Sequence, residues 1–544
     1  MNFPPRHSAG YPGQLESARV TSWRRIISVV LSVFWAGPNP ARSATDISET
    51  TLRFAIVQTH PRVHAAYDQV ARAYERLNPG IRLVQLSVPE RLYTAWLTTH
   101  LIGGTAPEIL EALGARPNDE QAARSFVALT HEMKQANPHN QGTRLEGKPW
   151  RDTFVDGLNE FPAFRAVLMD VYGVSSTIVT HRLLFNRTLL ERVTGRSEPP
   201  RTFSELLQLV SLIESYNART TQRVVGIAAA RENSRPLLDW ICTTQTQRLA
   251  LETDPISTLR PYVRNQIVGL YRGDWTLEDE AVRRGLNLVR LSARLFQPGF
   301  EQARSDDALF YFLQERSLAL VTSSIVAEGI KASVRFPVVV GPWPWPDDDP
   351  TRNYMVGPVA EQTSGAKVLH LLRTDPVRQA HALDFLRFLT SLPGQTLFVQ
   401  SCELLPAVLD VPVQPVMQPF RPLPGVMPYP GLHPTPAVLP MCDYLWNKCL
   451  DGLTRPGGSV DAFLARLKPE IPGMVRMEID RAQRDTRANA ARQDATLAAL
   501  EILENRKADG AVSRRKLDEL LEYQTQRETI SAYWKSSLAL PPAP

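Results

Sequence analysis

The stretch TLRFAIVQTHPRVHAAYDQVARAYERLNPGIRLVQLSV, Thr51 to Val88, holds one cycle of strand, helix and strand. TLRFAIV, Thr51 to Val57, is an apolar run of strand length. After the polar loop QTHP, the residues Val63, Tyr67, Val70, Ala71 and Tyr74 recur at helical spacing, which predicts an amphipathic helix with one buried face. Asn78, Pro79 and Gly80 stop that helix. IRLVQLSV, Ile81 to Val88, is the next strand. Two strands joined by a covering helix are the repeating unit of a parallel sheet.

Downstream the pattern continues. RLYTAWLTTHLIGG is a second helix stopped by Gly103 and Gly104, and PEILEAL a third strand. IVTHRLLFN, Ile178 to Asn186, is a strand. Thr202 to Asn217 is a helix, with Thr202 as its cap and Glu205 completing a capping box. VVGIAAA (Val224 to Ala230), residues 317–322 and FPVVV (Phe336 to Val340) are further strands. The last of these runs into GPWPWPDDDP, where prolines keep the chain extended and stiff. DPVRQAHALDFLRFLTSLPGQTLFVQSC is a long helix interrupted at Pro393–Gly394, with Ala380, Leu383, Phe385 and Leu386 facing inward. Residues 474–540 are charged, Ala-rich and helix-prone, with Gly510 as the break between two helices. Their stripes, Leu497, Leu500 and Leu503, then Leu517, Leu520 and Leu521, need a partner surface, on the same chain or on another protein.

Composition narrows the function. A chain of 544 residues divides into several domains. A net charge of +5 from scattered basic residues excludes nucleic acid as the expected partner, because backbone binding needs a concentrated positive face. Arg24 and Arg25 precede IISVVLSVFWAG, an apolar run too short to span a bilayer. With the small residues of Ala41 to Ser43 it reads as a cleaved signal peptide, the alternative being a membrane anchor. Cys442 and Cys449 lie two helical turns apart, about 10 Å, too far for a disulfide. All four cysteines, Cys242, Cys402, Cys442 and Cys449, are read as small buried hydrophobes. No nucleotide-binding loop, nucleophile elbow or metal-ligand spacing is present, so neither an enzyme nor a cofactor is expected.

Five stretches in order then resemble one family, the extracellular solute-binding proteins of ABC importers, in the group that includes maltose-binding protein. They are RVHAAYDQVARAYERLNPGIRLV, GGTAPEIL, LLFNRTLLERVTGRSEPPRTFSELLQLV, FLQERSLALVTSS and HALDFLRFLTSLPGQTLFVQSCELLP. The resemblance implies a two-lobed α/β fold, the type II periplasmic-binding-protein fold, here with an added C-terminal helical tail. It implies a signal segment at 1–43, lobe one from 50–172 plus 358–410, lobe two from 173–357 plus 411–471, and an extension at 472–544. Departures are Glu108 where Asp is usual, Phe185 where Tyr is common, and SSIVAEG after the strand ending at Thr322, where sugar binders often carry Trp.

The resemblance also implies a cleft, and loops at strand carboxyl ends line it. Gln58, Thr59 and His60 follow the first strand and either hydrogen-bond sugar hydroxyls or cap the next helix. Gly114 and Arg116 follow the third strand, offering close backbone approach and a forked donor, or a plain exposed loop. Tyr172 at the first lobe crossing, Trp240 and Tyr444 are candidate rings for stacking on sugar faces, against the alternative of core packing. Ser323 and Ser324 end a strand pointing into the cleft. Of Trp343 and Trp345, one is expected at the cleft and the other against lobe two, the alternative being that both seal the lobe surface. The implied function is a periplasmic binding protein whose partners are a small-molecule ligand of the sugar class and a membrane permease. The alternatives are a binding-fold interaction protein whose tail, residues 474–544, docks a protein partner, and an exported enzyme acting on polysaccharide.

Overall fold

A computed structural model of the chain describes residues 50–58, 61–111, 122, 124–158, 162–165, 170–253, 263–347, 351–357, 364–423, 431–436, 441–455 and 457–505, with separate helical positions between 514 and 536. Its strands in chain order begin with β1 (Thr50–Gln58), β2 (Ile81–Pro89), β3 (Ile109–Glu111), β4 (Phe164–Arg165), β5 (Asp170–Val171) and β6 (Gly173–Val179). They continue with β7 (His181–Asn186), β8 (Val225–Ala228), β9 (Ser317–Ser323), β10 (Val338–Gly341) and β11 (Ser364–Leu371).

One sheet runs β2-β1-β3-β11-β6 and a second β10-β7-β9-β8. In the first, β2 and β3 flank β1 in parallel, while β11 lies antiparallel to both β3 and β6. In the second, β7 pairs antiparallel with β10 and β9, and β8 is parallel to β9. The helix Pro61–Leu77 covers the first sheet with Val63, Ala66, Tyr67, Val70, Ala71 and Tyr74, the stripe expected from their spacing. Its rings meet those of the helices Pro376–Leu389 and Leu392–Cys402: Tyr67 lies 4.7 Å from Phe398 and Tyr74 5.4 Å from Phe385, centroid to centroid. The second sheet packs under its own apolar cluster, which includes Trp275, Trp343 and Trp446.

Three expectations are corrected. Ile178 to Asn186 is not one strand: β6 ends at Val179 in the first sheet and β7 starts at His181 in the second. The chain therefore passes between sheets at Thr180 and not beside Tyr172, because long-range ladder pairing, which an uninterrupted run of apolar and polar residues does not reveal, assigns each half. The long helix breaks three residues before Pro393–Gly394, at Thr390–Ser391. It stops at Leu389, and Ser391 caps a new helix by accepting from the Gly394 amide at 3.2 Å, with Pro393 in the first turn where its missing N–H costs nothing. A Cβ on Gly394 would lie 1.9 Å from the Phe388 carbonyl, so this corner requires glycine. Ala380 is exposed, and Ala382, Phe385, Leu386, Phe388 and Leu389 form the buried face instead.

The helix Ile471–Asn505 begins inside the second cluster, with Met474 and Val475 buried there. The root of the tail is thus part of the body, and only the later turns extend from it. Farther along, the Gln524 amide donates to Asp494 at 2.9 Å, so described positions beyond the long helix fold back against it. The break expected at Gly510 lies outside the described residues. Among the described residues no helix is long and apolar enough to cross a membrane.

Candidate functional site

Strand register locates the cleft without reference to any single side chain. Thr180 lies between the last residue of β6 and the first of β7, so it marks the edge where the two sheets meet. In the first sheet Ser364 pairs with Val179, which puts the start of β11 at that edge. Since β3 is antiparallel to β11, and β1 and β2 are parallel to β3, the carboxyl ends Gln58, Pro89 and Glu111 come to the same edge. In the second sheet His181 pairs with Ser323 and Leu183 with Gly341, so β9 and β10 end there as well, and parallel pairing brings the end of β8 beside β9. Carboxyl ends of both sheets face one another across the passage, the position at which open α/β sheets bind ligands.

Several residues singled out from the sequence sit at this edge. Gln58 closes β1 opposite Pro89. Thr59, His60, Gly114 and Arg116 lie outside the described residues. Ser323 ends β9, and the buried Ser324 is tied to the passage: its amide donates to the Thr180 carbonyl at 2.9 Å and its hydroxyl accepts from the Thr180 amide at 3.2 Å. Trp240, on the helix Arg231–Thr244, meets Trp345 with centroids 5.6 Å apart, and both rings are only partly buried. Trp343 goes the other way. It is buried in the second cluster 6.4 Å from Phe296, and its indole N–H has no partner among the described residues.

The two remaining candidate rings differ in exposure. Tyr172 is enclosed among Val57, Tyr93, Leu110 and Phe126, so its ring is core and not a stacking face. Its carbonyl faces Nδ1 of His370 at 2.8 Å. Burial pushes the His370 imidazole down to about 3, which keeps it neutral, stacked 4.9 Å from Phe126. Tyr444 is 56% exposed on the helix Met441–Thr454, with the Lys448 ammonium 5.7 Å from its ring centroid. Trp446, two residues on, is buried between His433 and Phe463, as the helical offset predicts.

Sequence reasoning missed a buried ion pair at the same edge. The Glu111 carboxylate accepts from the Val57 amide at 2.9 Å and lies 3.5 Å from the Lys367 ammonium. Burial raises the Glu111 carboxyl above its usual range, with Lys367 acting in the opposite direction. Lys367 has φ of 48°, a left-handed backbone inside a strand, and backbone strain of this kind gathers at functional edges. A carboxylate closing the apolar run PEIL was the signal available. Trp96 was also passed over. It is partly buried on the helix Glu90–Ile102 that leaves the end of β2, 5.7 Å from Tyr93 and 4.5 Å from His100.

No family model matches this chain, and no curated protein does. Solved structures do. A chitin oligosaccharide binding protein superposes with a TM-score of 0.51 at 14% identity, over 79% of this chain and 100% of that one. The apo form of RafE from Streptococcus pneumoniae gives 0.48 at 16% identity, over 81% of this chain and 97% of that one. The binding protein MsmE from Bacillus subtilis, in an open conformation, gives 0.48 at 13% identity, over 80% and 99%. The first likeness establishes the two-lobed α/β fold.

Proposed function

We propose that this chain is the substrate-binding component of an ABC importer and that it binds a carbohydrate between its two lobes. The observation that carries the reading is the register: carboxyl ends of both sheets converge on one passage, so a ligand there touches both lobes. A ligand that contacts both lobes favours their closure in proportion to the contacts made only when they are closed. The Trp240–Trp345 pair supplies partly open aromatic surface on lobe two, of the kind that stacks on sugar rings. One neighbour of the same fold is a chitin oligosaccharide binding protein, and we carry that ligand class to this chain. The protein performs no covalent chemistry on the sugar. Residues 1–43 direct export, the folded body works in the periplasm, and a membrane permease receives the closed form.

A glycan panel tests this by thermal shift and calorimetry on the mature chain. At a hundred-fold excess over its dissociation constant, a true ligand stabilises the fold by about 2.7 kcal/mol. One oligosaccharide class should do so and emerge chemically unchanged. Failure of every glycan to shift the melting temperature, or turnover of any, would overturn the reading.

A further inference from the structure

Three of the four cysteines are buried, and Cys442 alone is partly accessible. It is the second residue of the fourteen-residue helix Met441–Thr454. A guanidinium, a hydroxyl and an imidazole converge on its sulfur. Arg235 Nη2 donates to Sγ at 3.5 Å, Thr435 Oγ1 lies at 3.4 Å and His433 Nδ1 at 3.9 Å. Behind them Asp239 joins the cations: its Oδ2 accepts from Arg235 Nε at 3.1 Å, and its Oδ1 stands 3.4 Å from His433 Nε2 as an ion pair.

The order of contacts gives each group a role. The Thr435 amide donates to His433 Nδ1 at 3.1 Å, so in the neutral tautomer Nδ1 accepts and the single imidazole proton sits on Nε2, toward Asp239. With Nε2 turned to Asp239, Nδ1 is the atom that holds the second proton when the pair stands as imidazolium and thiolate, and there it faces Sγ and gives up the Thr435 amide contact. Burial lowers the basicity of His433, but the Asp239 carboxylate outweighs it and pushes the imidazole up to about 10. Burial raises the Cys442 thiol, and His433, Thr435 and Arg235 together bring it below its usual range. The helix N-terminus adds to the same stabilisation. By contrast, burial raises the thiols of Cys242, Cys402 and Cys449.

We propose that Cys442, held by Arg235, His433 and Thr435, is a modification site: a nucleophilic thiolate that forms a mixed disulfide with small-molecule disulfides. The thiol proton rests on His433 Nδ1, so the thiolate is present before the disulfide arrives. Sγ then attacks one sulfur of the disulfide, the new S–S bond forms as the old one breaks, and the second half departs as a thiolate. The Cys442 sulfur is oxidised, the departing sulfur is reduced, and no other oxidant is needed.

The test uses the folded full chain and dithiobis-nitrobenzoate, a small disulfide with a coloured leaving thiolate. Between about pH 8 and pH 6, the thiolate fraction of an unassisted thiol falls about 75-fold. The fast phase of this protein should fall less than about ten-fold over that range. Cys442→Ser should abolish the fast phase, and His433→Gln should keep the thiol but restore the steep pH dependence. Mass spectrometry of the unmutated protein should place the adduct on Cys442, which decides the matter even where a variant fails to fold. A fast phase that survives Cys442→Ser, an adduct on another cysteine, or a steep profile in the unmutated protein would overturn the proposal.

Discussion

His370 should make this protein lose stability in mild acid, by an amount the structure sets. The residue lies on β11 with no measurable exposure, its Nδ1 facing the Tyr172 carbonyl and its ring against Phe126. Its imidazole is neutral in the fold, pushed down to about 3, while an unfolded histidine titrates near 6.5. The folded-state value lies below the unfolded one, so between them the unfolded chain binds the additional proton. The sign follows: the contribution is fully present above about pH 6.5 and is lost as pH falls toward about 3. Each unit is about 1.4 kcal/mol, so moving from about pH 7 to pH 5 removes about 2 kcal/mol through this one side chain.

The assay compares urea unfolding of the unmutated chain with that of His370→Gln at the two pH values. Glutamine keeps a donor for the Tyr172 carbonyl and does not titrate. Its baseline stability will be lower, but that offset is common to both pH values and cancels. The other titrating groups, His433 among them, are present in both proteins and cancel as well. The unmutated chain should lose about 2 kcal/mol more than the variant on acidification. Equal losses in the two proteins would show that His370 is protonated or solvated in the fold and would refute the reasoning.

Other substitutions separate core from cleft. Trp343→Ala should cost roughly 3–5 kcal/mol by emptying a core site, whereas Trp343→Phe should cost far less, because the indole N–H has no partner among the described residues to lose; thermal melts distinguish them. Under the proposed function, Trp345→Ala should instead weaken carbohydrate binding several-fold while moving the melting temperature little, as titration of tryptophan fluorescence would register. Lys367→Met should cost roughly 3–5 kcal/mol by stranding the Glu111 carboxylate, and the double change with Glu111→Gln should recover much of it in a denaturation series. Ending the chain after Gly473 should destabilise the body by on the order of 4 kcal/mol through loss of Met474 and Val475, while ending it after Asp480 should leave the melting temperature unchanged.

Local elements were legible where the physics is local. The stripe from Val63 to Tyr74 follows from helical periodicity alone, and Thr202 does accept the Glu205 amide at 3.2 Å. Glu205 reaches the Arg201 amide at 2.7 Å, one residue before the cap, so even the capping box was read to within one position. What failed was pairing across distance. Nothing in IVTHRLLFN says that Val179 will find Ser364 while His181 finds Ser323. The same limit hid the charged nest at Cys442, since helical spacing fixes its distance from Cys449 but says nothing of Asp239 or His433. Burial of all four cysteines was therefore right for three and wrong for the one whose polar partners come from remote segments.

Ser323 and Ser324 show why a cleft residue and a hinge residue look alike in sequence. A chain that leaves one sheet for another has, at the step between, a backbone unit with no ladder on either side. Thr180 is that unit and is fully buried, so its amide and carbonyl need partners from elsewhere. Ser324 supplies both, the Thr180 hydroxyl donates to the Phe420 carbonyl at 2.7 Å, and the Arg182 guanidinium holds the Pro419 carbonyl at 2.9 Å. Three separate segments are thus pinned at one point. Short polar side chains at a strand end suit a sugar hydroxyl and suit this duty equally, because strand carboxyl ends and the interlobe passage occupy the same edge. The Ser324 amide and one acceptor site of its hydroxyl are already committed to Thr180. Under the proposed function, closure that preserves these bonds turns the lobes about Thr180 through torsions on either side of it, and the pin itself stays intact.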